Sequence, residues 1–175
     1  MANGSGGTLV FDSGDLRKRE SPASSLLDYL KPKKSAKHGT DNLLLTCMDY
    51  RLTGHTQRYM KRRRLAGKFD HIVLAGASLG ATCADVPEWG ATFWAHLNTA
   101  LSLHNIKTVI LMDHTDCGAY KLFLKEQYPQ KKKEQLPCHF ETLKKLEAQI
   151  LEKFPELKVE KHVMHVNGKV VDCKE

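Results

Sequence analysis

Lys107-Thr108-Val109-Ile110-Leu111-Met112-Asp113 is a segment of strand length whose centre, Val109 to Met112, is an apolar run without alternating polar residues. A strand that is apolar on both sides is buried on both faces, which is the pattern of a parallel sheet covered by helices. The flanking sequence agrees. Upstream, Glu88 to His104 reads as a helix, with Trp89, Phe93, Leu97, Ala100 and His104 recurring on one face. His71 to Ala75 is a second strand running into a small-residue turn from Gly76 to Ala81, Thr53 to Ala66 a helix closed by Gly67, and Asn42 to Cys47 the first strand. Downstream, a helix is expected from about Asp116 and another from His139 to Phe154, where Pro155 stops it. His162 to Val166 and Lys169 to Asp172 flank Asn167-Gly168, a two-residue hairpin signal. Strands and helices alternating in this order predict an α/β fold with a mainly parallel central sheet, flanking helices and a C-terminal hairpin.

The 175-residue length suits one domain, here 41–175, preceded by a flexible arm over 1–40 that is rich in Gly, Ser, Lys and Pro. Within the arm, Pro22 to Leu30 is a candidate short helix, with Ser21 as its N-cap and Leu26, Leu27 and Leu30 on offer to the domain or a partner subunit. The five cysteines, Cys47, Cys83, Cys117, Cys138 and Cys173, are odd in number and widely spaced, which argues against a disulfide framework. The sequence shows no apolar run long enough to span a membrane and no secretory signal, so a cytoplasmic, reducing location is expected. The formal charge of +7 is clustered at Arg17 to Arg19, Lys31 to Lys37, Lys61 to Arg64 and Lys131 to Lys133. Aromatic residues do not interleave with these runs to stack bases, so solvated faces rather than nucleic-acid binding are expected.

In open parallel sheets, sites form beyond the carboxyl ends of the strands, and two motifs fall there. The first is Cys47-Met48-Asp49-Tyr50-Arg51, in which alternate residues share a face if the chain stays extended. The thiolate is a zinc ligand type, and Arg51 can fork onto Asp49 through charge-assisted hydrogen bonds. Alone, this pattern is more often a surface Asp-Arg pair beside a buried cysteine. The second is His114-Thr115-Asp116-Cys117-Gly118, with metal-ligand spacing at a strand-to-helix turn. Alone, it is more often a core histidine next to a buried thiol. Together they supply two thiolates and one imidazole, the three-ligand set that leaves zinc an open position for catalysis. The turn Gly76-Ala77-Ser78-Leu79-Gly80 matches G-x-S-x-G, but an elbow nucleophile should enter a helix at once, and the next helix is expected only at Glu88. It lacks the spacing and lysine of a nucleotide loop, so a tight turn of small residues is the expectation.

The two motifs in this order resemble the beta-class carbonic anhydrases, whose hallmarks are C-x-D-x-R and H-x-x-C-G; Cys-Met-Asp-x-Arg-Leu and His-Thr-Asp-Cys-Gly resemble the short subgroup of that family. The resemblance covers roughly residues 42 to 175. It implies one zinc ion per chain held by Cys47, His114 and Cys117, with Asp49 and Arg51 as the catalytic dyad. The implied activity is reversible hydration of carbon dioxide to bicarbonate and a proton by zinc-bound hydroxide. In some members the Asp binds zinc itself until its Arg withdraws it. A homodimer or higher homo-oligomer is implied as well. One departure stands out: the family usually carries Arg-Asn-Ala-Gly after the second strand, where this chain has Val73-Leu74-Ala75-Gly76. His55, His71, His96 and His104 are candidate proton shuttles. The rival readings are a carbon disulfide or carbonyl sulfide hydrolase on the same metal centre, a non-catalytic zinc protein with a basic partner-binding surface, and a redox protein pairing Cys47 with Cys117.

Overall fold

The computed structural model describes residues 39–173. The arm helix expected at 22–30 lies outside the described residues. Five strands form one sheet in the order β2-β1-β3-β4-β5: β1 Asn42–Thr46, β2 Asp70–Val73, β3 Thr108–His114, β4 Lys158–Met164 and β5 Val170–Asp172. The first four are parallel, and β5 runs antiparallel to β4 through the hairpin expected at Asn167-Gly168. The helices are α1 Thr53–Arg62, α2 Ser78–Thr82, α3 Pro87–His104, α4 Gly118–Leu124 and α5 Leu136–Lys153.

The apolar run of β3 is buried on both sides, as its composition requires. Val109 and Leu111 join Leu43 and Leu45 of β1, Phe93 and Leu97 of α3, and Leu143, Leu146 and Ile150 of α5 in one core. Ile110 and Met112 face the other way, onto Leu44, Leu52, Met60 of α1 and Met164. Each fully buried aliphatic side chain removes enough surface from water to contribute roughly 1.5–3 kcal/mol, so the centre of the sheet is its most firmly held part. Pairing of β1 with β3 sets Thr46 opposite Met112. The residues just beyond, Cys47 on one strand and Asp113 and His114 on the other, therefore emerge side by side.

The three largest departures from the sequence expectation are these. Helix α1 ends at Arg62 rather than Ala66, because Arg64 turns left-handed (φ 61) and the Leu65 amide reaches back to the Met60 carbonyl at 2.9 Å. That is a Schellman closure with arginine at the place glycine usually takes. Strand β4 begins at Lys158, four residues before His162, since its first half is only partly buried and carries charges that mask the strand pattern. Helix α2 starts at Ser78, inside the expected small-residue turn, where no helix was expected before Glu88. Glycine makes it possible: a Cβ on Gly80 would lie 2.3 Å from the Ala75 carbonyl oxygen.

Candidate metal centre

Cys47, leaving β1, and His114 and Cys117, leaving β3, bring one ligand atom each to within 4.8 Å of one another. Cys117 is the residue before α4, and its extended backbone (φ −76, ψ 125) turns the chain from strand to helix. The two sulfurs are 3.9 Å apart. The Gly76 amide donates to Cys47 Sγ at 3.3 Å, which the positive φ of Gly76 allows. The mutual hydrogen bond with Cys117, joined by the His114 side chain and the Gly76 amide, lowers Cys47 to about 4 against the opposing effect of burial. Cys117 is pushed up, first by that same bond and then by burial.

His114 is 1% exposed, and its ring is fixed by a 3.0 Å bond from Nδ1 to the Thr115 carbonyl. With the proton on Nδ1, Nε2 carries a free lone pair. That Nε2 is buried without a hydrogen-bond partner. Buried polar atoms are rarely left so, and here the orphan faces two cysteine sulfurs. Two sulfurs and an imidazole nitrogen with its other nitrogen already held form a donor set suited to zinc.

Asp49 Oδ2 lies 3.9 Å from His114 Nε2. Arg51 forks onto this carboxylate, with Nη2 2.6 Å from Oδ2 and Nε 3.0 Å from Oδ1, and its amide adds a third bond to Oδ1 at 3.0 Å. These bonds, the guanidinium first, hold Asp49 below the usual carboxylate range although burial opposes them. Arg51 has a second acidic partner that sequence reasoning did not assign. Its Nη1 donates to Asp116 Oδ2 at 3.0 Å and its Nη2 to the Asp116 carbonyl at 3.1 Å. Asp116 is itself held low, chiefly by a hydrogen bond from Lys121, and its amide donates to Gln135 Oε1 at 2.8 Å. Its backbone is left-handed (φ 62), which is uncommon for a residue other than glycine and is not visible in the sequence.

The other residues singled out in the sequence lie elsewhere. Ser78 is fully buried and its Oγ has no hydrogen-bond partner, so no base activates it as an elbow nucleophile. Of the candidate shuttles, His55 Nδ1 pairs with Arg58 at 2.9 Å, His71 Nε2 with Thr46 Oγ1 at 2.8 Å and His104 Nδ1 with Asp70 at 2.7 Å, while His96 is exposed on α3. His165, which was not considered, stands 3.4 Å from Thr115 Oγ1, next along the chain from His114. Val73, in place of the family's arginine, is half exposed at the end of β2.

Residues 37–172 match a protein family described as "Putative carbonic anhydrase". An uncharacterized protein of Rickettsia bellii is 39% identical over 126 residues, covering 72% of this chain and 77% of that protein. A second, from Rickettsia conorii, is 37% identical over 128 residues, covering 73% and 69%. Among solved structures, beta-carbonic anhydrase isoform I of Trichomonas vaginalis aligns over 85% of this chain and 90% of its own, with 17% identity and a TM-score of 0.51. A mutant form of the beta-carbonic anhydrase CafD of Aspergillus fumigatus aligns over 83% and 96%, with 14% identity and a TM-score of 0.51. The structural likeness establishes the fold, and the family match spans nearly all of the described residues. This chain thus belongs to the putative carbonic anhydrase family and carries the beta-carbonic anhydrase fold.

Proposed function

We propose that this protein is a zinc-dependent carbonic anhydrase that hydrates carbon dioxide reversibly, with Cys47, His114 and Cys117 holding one zinc ion per chain. The observation that carries the proposal is the orphaned, buried His114 Nε2 facing two cysteine sulfurs, with the Asp49-Arg51 pair beside it. When bound, zinc makes hydroxide available near neutral pH by lowering the pKa of water. Asp49, kept ionised by the guanidinium of Arg51, would accept a hydrogen bond from the nucleophile and so aim a lone pair at the carbon. Arg51 cannot lose its charge and is tied on its other edge to Asp116, so the carboxylate is oriented before substrate arrives. Burial of Cys117 and His114 excludes water from the ligand side and restricts approach to the Asp49 side.

Among the described residues, no helix is long and apolar enough to cross a membrane. A homo-oligomer is part of the proposal. Its support is that Met48, Tyr50 and Val73, all next to the site, are 67%, 86% and 53% exposed, apolar surface a second subunit would cover.

Stopped-flow measurement of carbon dioxide hydration on zinc-replete protein across a pH series tests the reading. Zinc-dependent turnover rising with pH is expected. A zinc-loaded protein inert toward carbon dioxide but active on carbonyl sulfide would replace it with the hydrolase, and inertness toward both would leave a binding role.

A further inference from the structure

Behind the ligand atoms lies a carboxylate that this mechanism does not use. Asp113, the β3 residue before His114, is 1% exposed. Its Oδ1 accepts the Ser78 amide at 3.0 Å, and its Oδ2 accepts the Tyr120 hydroxyl at 2.5 Å and faces His139 Nδ1 at 3.3 Å. The network continues to Tyr128, whose hydroxyl stands 3.0 Å from His139 Nε2. Ser78, Tyr120, Tyr128 and His139 are all buried. The donors run in one direction. With the Tyr128 hydroxyl donating to Nε2, the imidazole proton sits on Nδ1 and points at Asp113. A buried carboxylate is expensive unless its lone pairs are satisfied, and three donors satisfy this one.

The sources of those donors carry the argument. Asp113 shares its strand end with His114. Ser78 stands two residues after Gly76, whose amide donates to Cys47 Sγ. Tyr120 stands three residues after Cys117 at the start of α4. One carboxylate thus ties together the segments that place all three ligand atoms, and His139 anchors the tie to α5. We propose that Asp113 is a positioning residue that pre-organises Cys47, His114 and Cys117 for the metal, an inference that rests on the zinc reading above. Apolar packing would serve burial at this position equally well, but it would not fix three chain segments against one another.

The test uses the full chain, with zinc affinity read by competition with a chromophoric chelator and thermal unfolding of the metal-free protein read alongside. Asp113→Asn keeps the shape but loses the charge and puts a donor where Tyr120 and His139 donate. It is expected to weaken zinc binding about 10–100-fold, as loss of a partner outside the ligand set does. Tyr120→Phe keeps the ring in place and removes one donor, with about a tenfold loss expected. Ile150→Val, in the same core but distant from the ligands, should lower the melting temperature and leave zinc affinity unchanged. Affinity within about twofold of wild type in both Asp113→Asn and Tyr120→Phe overturns the inference while leaving the zinc reading intact. Should Asp113→Asn fail to fold, Tyr120→Phe decides alone. Wild-type protein that takes up no zinc overturns the zinc reading and this inference with it.

Discussion

The two loops that build the site are opposites in their surroundings. From Cys47 to Arg51 the chain is mostly open to solvent, with Met48, Tyr50 and Arg51 exposed and Asp49 partly so. From Asp113 to Tyr120 it is mostly buried, with Asp113, His114, Thr115, Cys117 and Tyr120 all inside. Yet both loops are rich in charge. The open loop keeps its charges ionised through Arg51, which bridges Asp49 and Asp116. The closed loop keeps its polar groups in place through hydrogen bonds to buried neighbours. On the proposed function, the contrast separates the reacting groups from the scaffold. Chemistry needs a carboxylate that substrate and water can reach, whereas metal geometry needs ligands that thermal motion cannot displace.

This division can be broken most forcefully from the closed side. Cys117→Ser is expected to weaken zinc binding on the order of a thousandfold, because one of three ligands carries a large share of the binding free energy. Metal content after dialysis against a chelator measures it, and tight retention of one equivalent would remove Cys117 from the site. On the open side, Asp49→Asn should retain zinc yet lose turnover on the order of 100-fold, since only the orienting carboxylate is changed. Stopped-flow rates on zinc-matched samples read that loss, and full activity would sink the proposed role. Asp116 joins the two loops. Asparagine tolerates the left-handed backbone there, so Asp116→Asn removes the carboxylate's charge toward Arg51 and Lys121 without backbone strain, and a loss of up to about tenfold in kcat with unchanged zinc content is expected. Asp116→Ala adds backbone strain and should be the worse of the two.

The last expected effect is one of pH. Cys47 is lowered to about 4 from an ordinary thiol value of 9.0. Its contribution to the stability of the metal-free fold is present in full above pH 9 and is lost as pH falls toward 4, so stability from this group rises with pH across that window. Cys117, pushed up, stays protonated at neutral pH, so zinc uptake at pH 7 should release its proton and tighten as pH rises. Titration calorimetry in buffers of different ionisation enthalpy detects the release. Urea unfolding of metal-free wild type and Cys47→Ser compares the slopes, and equal slopes would place the charge elsewhere.

Much of this was legible before any coordinates. The unalternating run Val109-Ile110-Leu111-Met112 announced a doubly buried strand, and the same-face spacing of Phe93, Leu97 and Ala100 announced α3. Cys47, His114 and Cys117 stood out by residue type and by position at the ends of strand patterns. The rest was hidden for physical reasons. Lys158 and Glu160 read as solvated residues because their strand is half exposed, so the start of β4 was lost among charges. Ser78 to Thr82 is too short, and too rich in small residues, to show a helical period. Asp113 looked like the polar end of a strand, although a carboxylate closing so apolar a run was a sign that burial continued. Gln135 and His139 gave no local sign, since their partners are distant in the sequence.

Sequence alone determined which atoms are available: two thiolates, one imidazole and a carboxylate with its arginine, each at a strand end by virtue of local period and turn chemistry. Tertiary structure decided that β1 and β3 lie side by side, so that Cys47 meets His114 and Cys117, and that Asp113 gathers donors from three segments. The reason is one of range. Hydrophobic period and turn residues act over a few positions, whereas strand order and the burial of a carboxylate are set by contacts between residues far apart in the chain.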